Sequence, residues 1–158
     1  ILKLKGRERA DFYRRQVGFI FQDFYLHPQL NVGENIALAG TFANLKQAEI
    51  NRKVELITKT LHIDSILKHK LDQISGGQAE RVCIARALFM SPKIILADEP
   101  TNNLDQTNAE NVIKILRAIA TSMKITIIIS SHSQMVADYA DRIIKISQGA
   151  IHEITKTH

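Results

Sequence analysis

Two carboxylates stand side by side where an apolar run stops: Lys93-Ile94-Ile95-Leu96-Ala97 gives way abruptly to Asp98-Glu99-Pro100. Adjacent charges at the end of a buried strand are costly unless a cation or a reacting group uses them. Asp98 suits Mg²⁺, held directly or through water, because that ion takes oxygen ligands and keeps several waters. Glu99 is then placed to orient or deprotonate a water. The plain alternative is a pair of exposed carboxylates capping the next loop. Ser75-Gly76-Gly77-Gln78 is a second candidate. Ser75 as N-cap and Gln78 three positions on make a capping box. Glycine in a helix costs about 1 kcal/mol against alanine, so a helix start alone accounts poorly for two of them. They let a ligand approach the backbone, and the free N–H groups of a helix N-terminus favour an anion, phosphate being the natural guest. His132 and Gln22 each follow an apolar run. Taken singly each is ambiguous, a lone histidine being more often structural. Four polar groups at the ends of buried strands or a helix are harder to dismiss together.

The elements that must position them read as an α/β layered protein. Val17-Gly18-Phe19-Ile20-Phe21 is short and rich in β-formers and ends at Gln22. Asn31 and Glu34 form a capping-box-like helix start. Leu45, Ala48, Val54, Ile57 and Leu61 recur at helical spacing, and a short helical turn is expected near Ile66 and Leu67. The helix after Ser75 stops before Pro92. The run Ile94 to Ala97 suits a parallel strand covered on both faces. A helix from about Thr107 carries the stripe Val112, Ile115, Leu116 and Ile119, and Ile125 to Ile129 is a further buried strand leading to Ser130-Ser131-His132. A helix near Met135 to Tyr139 and the run Ile143 to Ile146 follow, with Gln148-Gly149 turning the chain into a last strand at Ile151 to Ile154. Strands alternating with helices imply βαβ units and a parallel sheet.

Length and composition bound the function classes. The 158 residues allow one ordinary domain, and 45% hydrophobic with 23% charged residues supports a packed core. One cysteine, Cys83, excludes a disulfide within the chain and fits a reducing compartment. No apolar stretch approaches the roughly 20 residues a spanning helix needs, and the opening residues lack signal-peptide character. The absence of an initial Met gives the expectation that the numbering begins inside a longer chain. The net charge of +5 raises the possibility of nucleic acid, with Lys3, Lys5, Arg7, Arg9, Arg14 and Arg15 crowded at the start. Elsewhere the charges are mixed and no basic run is interleaved with stacking aromatics, so direct nucleic-acid binding is not expected. His62 and His69 have no cysteine or carboxylate at ligand spacing and are assigned to the surface.

The run Ile74-Ser75-Gly76-Gly77-Gln78-Ala79-Glu80-Arg81-Val82, followed by Ile84-Ala85-Arg86-Ala87-Leu88, resembles the signature motif of ABC-type ATPases. Ile94 to Thr101 resembles their Walker B strand with its glutamate, Asn103-Leu104-Asp105 their D-loop, Gln22 the Q-loop glutamine and His132 the switch histidine. These motifs stand in the family's order across Gly18 to Gly149 and most resemble the lipoprotein-releasing and macrolide-export branch. Ile74, Asn102 and Ser133 depart from its usual Leu, Gly and Asp, and none of these removes a catalytic side chain. The resemblance implies a partial P-loop NTPase core, α/β with a parallel sheet, plus an α-helical signature subdomain. Residues 23–91 would form the helical subdomain, and 1–22 and 92–158 parts of the core.

It further implies ATP and Mg²⁺ as cofactors, sandwiched between two nucleotide-binding domains of a homodimer that works with transmembrane permease subunits at the cytoplasmic face of a membrane. Asp98 would serve Mg²⁺, Glu99 would polarise the attacking water, and His132 would contact the γ-phosphate. Gln22 would touch Mg²⁺ or the water and report to the membrane partner. Ser75, Gly76, Gly77 and Gln78 would close over the nucleotide held by the opposite subunit, and Asp105 would link the two sites. The alternatives are an ABC-type ATPase of a soluble nucleic-acid or ribosome-associated machine, or a non-catalytic remnant. No Gly-x-x-x-x-Gly-Lys-Ser/Thr phosphate loop occurs in these residues. The expectation is therefore an ABC domain represented without its N-terminal phosphate-loop segment, with exposed apolar strand edges, weak ATP binding by itself, and poor stability or self-association.

Overall fold

The computed structural model describes residues 4–154. Lys3, the first of the crowded basic residues, lies outside them. Lys5 precedes, and Arg7, Arg9, Arg14 and Arg15 lie in, helix α1, Gly6–Gln16, none of whose residues is buried. It runs directly into strand β1, Val17–Ile20.

Between β1 and the next strand the chain is almost entirely helical. Helix α2 spans Val32–Phe42 and α3 spans Gln47–Thr60; two single 3₁₀ turns, Asp64–Ile66 and Leu71–Gln73, lead to α4, Gly76–Leu88. The start of α2 follows from its sequence: Asn31 accepts from the Glu34 amide at 2.8 Å, and the Glu34 carboxylate accepts from the Asn31 amide at 2.7 Å. Asn35 is fully buried and spends its amide on the carbonyls of His27, Leu30 and Asn31, which ties down the loop that precedes it.

The second half supplies strand β2, Ile94–Asp98, helix α5, Gln106–Met123, strand β3, Thr126–Ser130, the short helix α6, Gln134–Tyr139, and strands β4, Ile143–Ser147, and β5, Ala150–Ile154. Strands β1, β2 and β3 form a parallel sheet in that order, with Ile20 opposite Ala97 and Asp98 opposite Ser130. Both crossovers are helical, as parallel pairing requires. Strands β4 and β5 stand apart as an antiparallel hairpin turned by Gln148 and Gly149, both at positive φ (50° and 77°).

The core lies between the sheet and its helices. Ile20, Ile95 and Ala97 from the strands meet Val82, Ile84 and Ala85 of α4 and Val112, Ile113 and Leu116 of α5 in one buried cluster. Each large aliphatic side chain so buried contributes roughly 1.5–3 kcal/mol. Strand β1 approaches α4 so closely that a Cβ on Gly18 would lie 2.6 Å from the Ala87 carbonyl oxygen. The apolar run of β2 is buried on alternate positions only: Ile95 and Ala97 are covered, whereas Ile94 and Leu96 stay half-buried. The expected cover of both faces is thus not complete among the described residues. Ile128 on β3 is 56% exposed, and Phe19 and Phe21 also reach solvent, so apolar side chains do stand at the sheet margins. No helix among the described residues is long and apolar enough to cross a membrane.

Candidate functional site

The parallel register brings two triplets together at the carboxyl end of the sheet, where open α/β sheets hold their ligands. Asp98-Glu99-Pro100 leaves β2, and Ser130-Ser131-His132 leaves β3. Glu99 adopts φ 43°, a left-handed conformation that costs a side-chain-bearing residue roughly 1–2 kcal/mol. Three bonds hold it there. Its amide donates to the Ser130 carbonyl at 3.0 Å, and its own carbonyl accepts from the Asn102 amide at 3.1 Å. The Ser131 hydroxyl donates to Oε2 at 3.2 Å.

On the other carboxylate oxygen, His132 Nδ1 lies 2.8 Å from Glu99 Oε1. The imidazole is 79% exposed while the glutamate side chain is 22% exposed, so the pair has one face open to a ligand. Beside it the Ser130 hydroxyl donates to Asp98 Oδ1. The structure therefore joins Asp98, Glu99 and His132 in one constellation. It also adds Ser130 and Ser131, which sequence reasoning passed over. Their signal was legible: two hydroxyls at the end of a strand whose neighbour ends in two carboxylates.

The donor set suits a hard cation, since Asp98 and its serine partner present oxygen. No group of three or more His, Cys, Asp or Glu side chains among the described residues is arranged to hold a metal ion by itself. Asp98 would therefore be one protein ligand among waters and phosphate oxygens, which is the habit of Mg²⁺.

Ser75, Gly76, Gly77 and Gln78 occupy the N-terminus of α4. Both halves of the expected capping box are present: the Gln78 amide donates to Ser75 Oγ at 3.3 Å, and the Ser75 amide donates to Gln78 Oε1 at 2.8 Å. Ser75 and Gly76 are exposed and Gly77 half-buried, so the first-turn amides are open to an anion. Gly77 also answers a packing need, because a Cβ there would lie 2.9 Å from Asn108 Oδ1.

Asn108 belongs to the first turn of α5, where Asp105 is the N-cap. Asp105 Oδ1 accepts from the Asn108 amide at 3.0 Å, and Oδ2 accepts from the Asn108 side chain. Those bonds, the amide's first, hold the Asp105 carboxyl below the usual carboxylate range. Asp105 thus begins α5 and supports the residue that Gly77 rests against. Gln22 follows β1 and is exposed, with its backbone carbonyl accepting from Asn103 Nδ2 at 3.0 Å. No hydrogen bond or ion pair among the described residues links Ser75 to Gln78 with Asp98, Glu99 or His132. The two groups are held as separate surfaces on one frame.

Two buried groups lie on α4. Burial pushes the Cys83 thiol up to about 12, which leaves it inert as a nucleophile. Burial likewise raises the Glu80 carboxyl to about 8, and its Oε1 has no hydrogen-bond partner among the described residues.

A family model described as "ABC transporter" matches residues 2–102. The chain is 39% identical over 146 residues to the ABC transporter ATP-binding protein YvcR of Bacillus subtilis (strain 168), covering 92% of this chain and 56% of that protein. It is 40% identical over 156 residues to the macrolide export ATP-binding/permease protein MacB of Mannheimia succiniciproducens, covering 99% of this chain and 24% of that one. The chain thus spans about half the length of the first relative and a quarter of the second. Among solved structures, a dimeric post-hydrolysis state of the ATP-binding cassette MJ0796 bound to ADP and Pi superposes with a TM-score of 0.81 at 31% identity. That likeness covers 98% of this chain and 70% of the other.

Proposed function

The chain belongs to the ABC transporter family, and from that premise we propose that it is part of an ATP-binding and ATP-hydrolysing subunit that powers transport across a membrane through a nucleotide-sandwich dimer. The observation that carries the reading is the grip of His132 and Ser131 on opposite oxygens of Glu99, next to Asp98, at the carboxyl end of the sheet.

In this reading Glu99 orients the attacking water and draws on its proton. His132 fixes the glutamate through Nδ1 and turns its exposed face towards a terminal phosphate. Asp98, steadied by Ser130, is the protein ligand for Mg²⁺, and Gln22 reaches the same metal or the water from the end of β1. The metal, when bound, neutralises charge on the phosphate oxygens. Ser75, Gly76, Gly77 and Gln78 offer their amides and the Ser75 hydroxyl to the nucleotide of a second subunit. Their separation from Glu99 within one chain supports that division. Asp105, which braces the residue against which Gly77 packs, would link the two sites. The helical part over 23–91, flanked by the α/β parts 1–22 and 92–158, is proposed with this reading. So are permease partners and a place at the cytoplasmic face of a membrane. The 158 residues contain no phosphate-loop motif, so the chain by itself is expected to hold nucleotide weakly and to hydrolyse little.

Equilibrium binding of MgATP to the purified chain, with a Glu99→Gln variant alongside and mass followed by light scattering, tests this. Weak binding by the chain is the expected result, with tight binding and nucleotide-dependent dimerisation once a phosphate-loop segment is supplied. Tight binding by the chain alone refutes this account of the site.

A further inference from the structure

Arg86 spends its guanidinium on backbone carbonyls. It sits half-buried near the end of α4. Its Nη1 donates to the Tyr25 carbonyl at 2.7 Å and its Nη2 to the Phe24 carbonyl at 2.8 Å. One turn earlier on the same helix, the Cys83 thiol donates to the same Phe24 carbonyl at 3.4 Å. Tyr25 adopts φ 44°, which a side-chain-bearing residue does not take up unaided. The helix that grips this loop is also the one against which Gly18 of β1 is pressed. The segment from β1 through Gln22 to Tyr25 is therefore fastened to α4 at both ends.

We infer that Arg86 is the positioning residue for the Gln22 loop, and that through it this loop and the helix beginning at Ser75 move as one body. A planar guanidinium matches two successive carbonyls as a fork, whereas an ammonium engages them only as a point charge. The backbone N–H groups of residues 23–26 are thereby kept in one arrangement, and Gln22 is presented at a fixed place relative to the amides of Gly76 and Gly77. The inference rests on the proposed function only for the meaning of Gln22; the fastening itself is independent of nucleotide.

Backbone amide relaxation of the full chain by NMR tests it without nucleotide, in Arg86→Lys and Arg86→Gln. The expected result is a fall in order parameter from about 0.85 to below about 0.6, confined to residues 23–26, with α4 and α5 unchanged. The side-chain amide resonances of Gln22 should sharpen and move towards free-peptide positions in both variants. If Arg86→Gln fails to fold, Arg86→Lys carries the comparison. Unchanged order parameters at 23–26 overturn the inference. So does a uniform fall across α4, which would make Arg86 a prop of the core and nothing more. Tight MgATP binding by the chain alone, with the loop loosened as expected in the variants, would instead count against the proposed function alone.

Discussion

His132 Nδ1 and Glu99 Oε1 lie 2.8 Å apart although 33 residues separate them, because the parallel register of β2 and β3 ends both strands at the same level. The glutamate is thereby held at both oxygens, one by imidazole and one by the Ser131 hydroxyl. A carboxylate so fixed has little rotamer freedom left to lose.

Replacing Glu99 by Gln keeps the size and removes the proton acceptor. Under the proposed function, hydrolysis is expected to fall by about 100-fold or more, with nucleotide-dependent dimerisation retained. His132→Ala should slow phosphate release while leaving the circular dichroism spectrum unchanged, since that side chain is mostly exposed. Phosphate release undiminished in both variants would sink the assignment.

Glu80 gives a pH dependence with a definite sign. Its carboxyl, ordinarily near 4.5, is raised to about 8 by burial on α4. Below pH 4.5 it is protonated folded or unfolded; between there and about 8 only the unfolded chain ionises. Stability therefore declines as pH rises through that window and levels off above it. Glu80→Gln removes the decline and should stabilise the chain by a few kcal/mol at neutral pH, on the order given by 1.4 kcal/mol per unit. Urea midpoints at pH 5 and pH 8 check this. The gap between variant and parent must widen with pH, and a constant gap contradicts it.

Gly18→Ala places a methyl group against the Ala87 carbonyl, where a Cβ would have only 2.6 Å. Backbone cannot swing aside as a side chain can. A loss of about 1–3 kcal/mol is expected in denaturant titrations, the usual cost of overpacking. Stability equal to the parent's would mean that β1 and α4 are not held so close in solution.

Asp105 caps α5, and substitution can separate that duty from the link proposed for it. Asn caps a helix about as well as Asp, so Asp105→Asn should leave thermal stability near the parent's while weakening nucleotide-dependent association through loss of the carboxylate. Asp105→Ala should lower both. The bonds from Asn108 depress the Asp105 carboxyl, so its support of α5 is present at neutral pH and is lost as pH falls through its lowered range. Melting curves and light scattering on the two variants decide the matter. Equal association in Asp105→Asn and the parent would leave Asp105 a cap only.

Local rules carried much of the architecture into the sequence. Ser75 with Gln78 and Asn31 with Glu34 announced their helices through side chains that close on their own backbone. The apolar runs around Ile95 and Ile127 marked the sheet, and their abrupt polar ends marked Asp98 and His132. Helix α1 was missed because it buries nothing, so no hydrophobic period betrays it. Ser130 and Ser131 were missed because their partners come from another strand, and register is a property of the pair. Arg86 reads like any basic residue on a helix face until the Phe24 and Tyr25 carbonyls fold back onto it. The roles of Gln22 and Asp105 came from family resemblance, which local patterning alone does not supply.

The rung that pairs Asp98 with Ser130 also governs which changes of chain length this sequence can absorb. An insertion of one residue inside 126–132 would slip β3 by half a pleat, turn its hydroxyls to the opposite face and leave both carboxylates without them. The same insertion in the connection after Tyr139 would displace nothing between the two triplets. Gaps in relatives of this chain should accordingly collect outside 94–99 and 126–132, whereas the crossover helix between them can lengthen by whole turns provided it lands on the same residue.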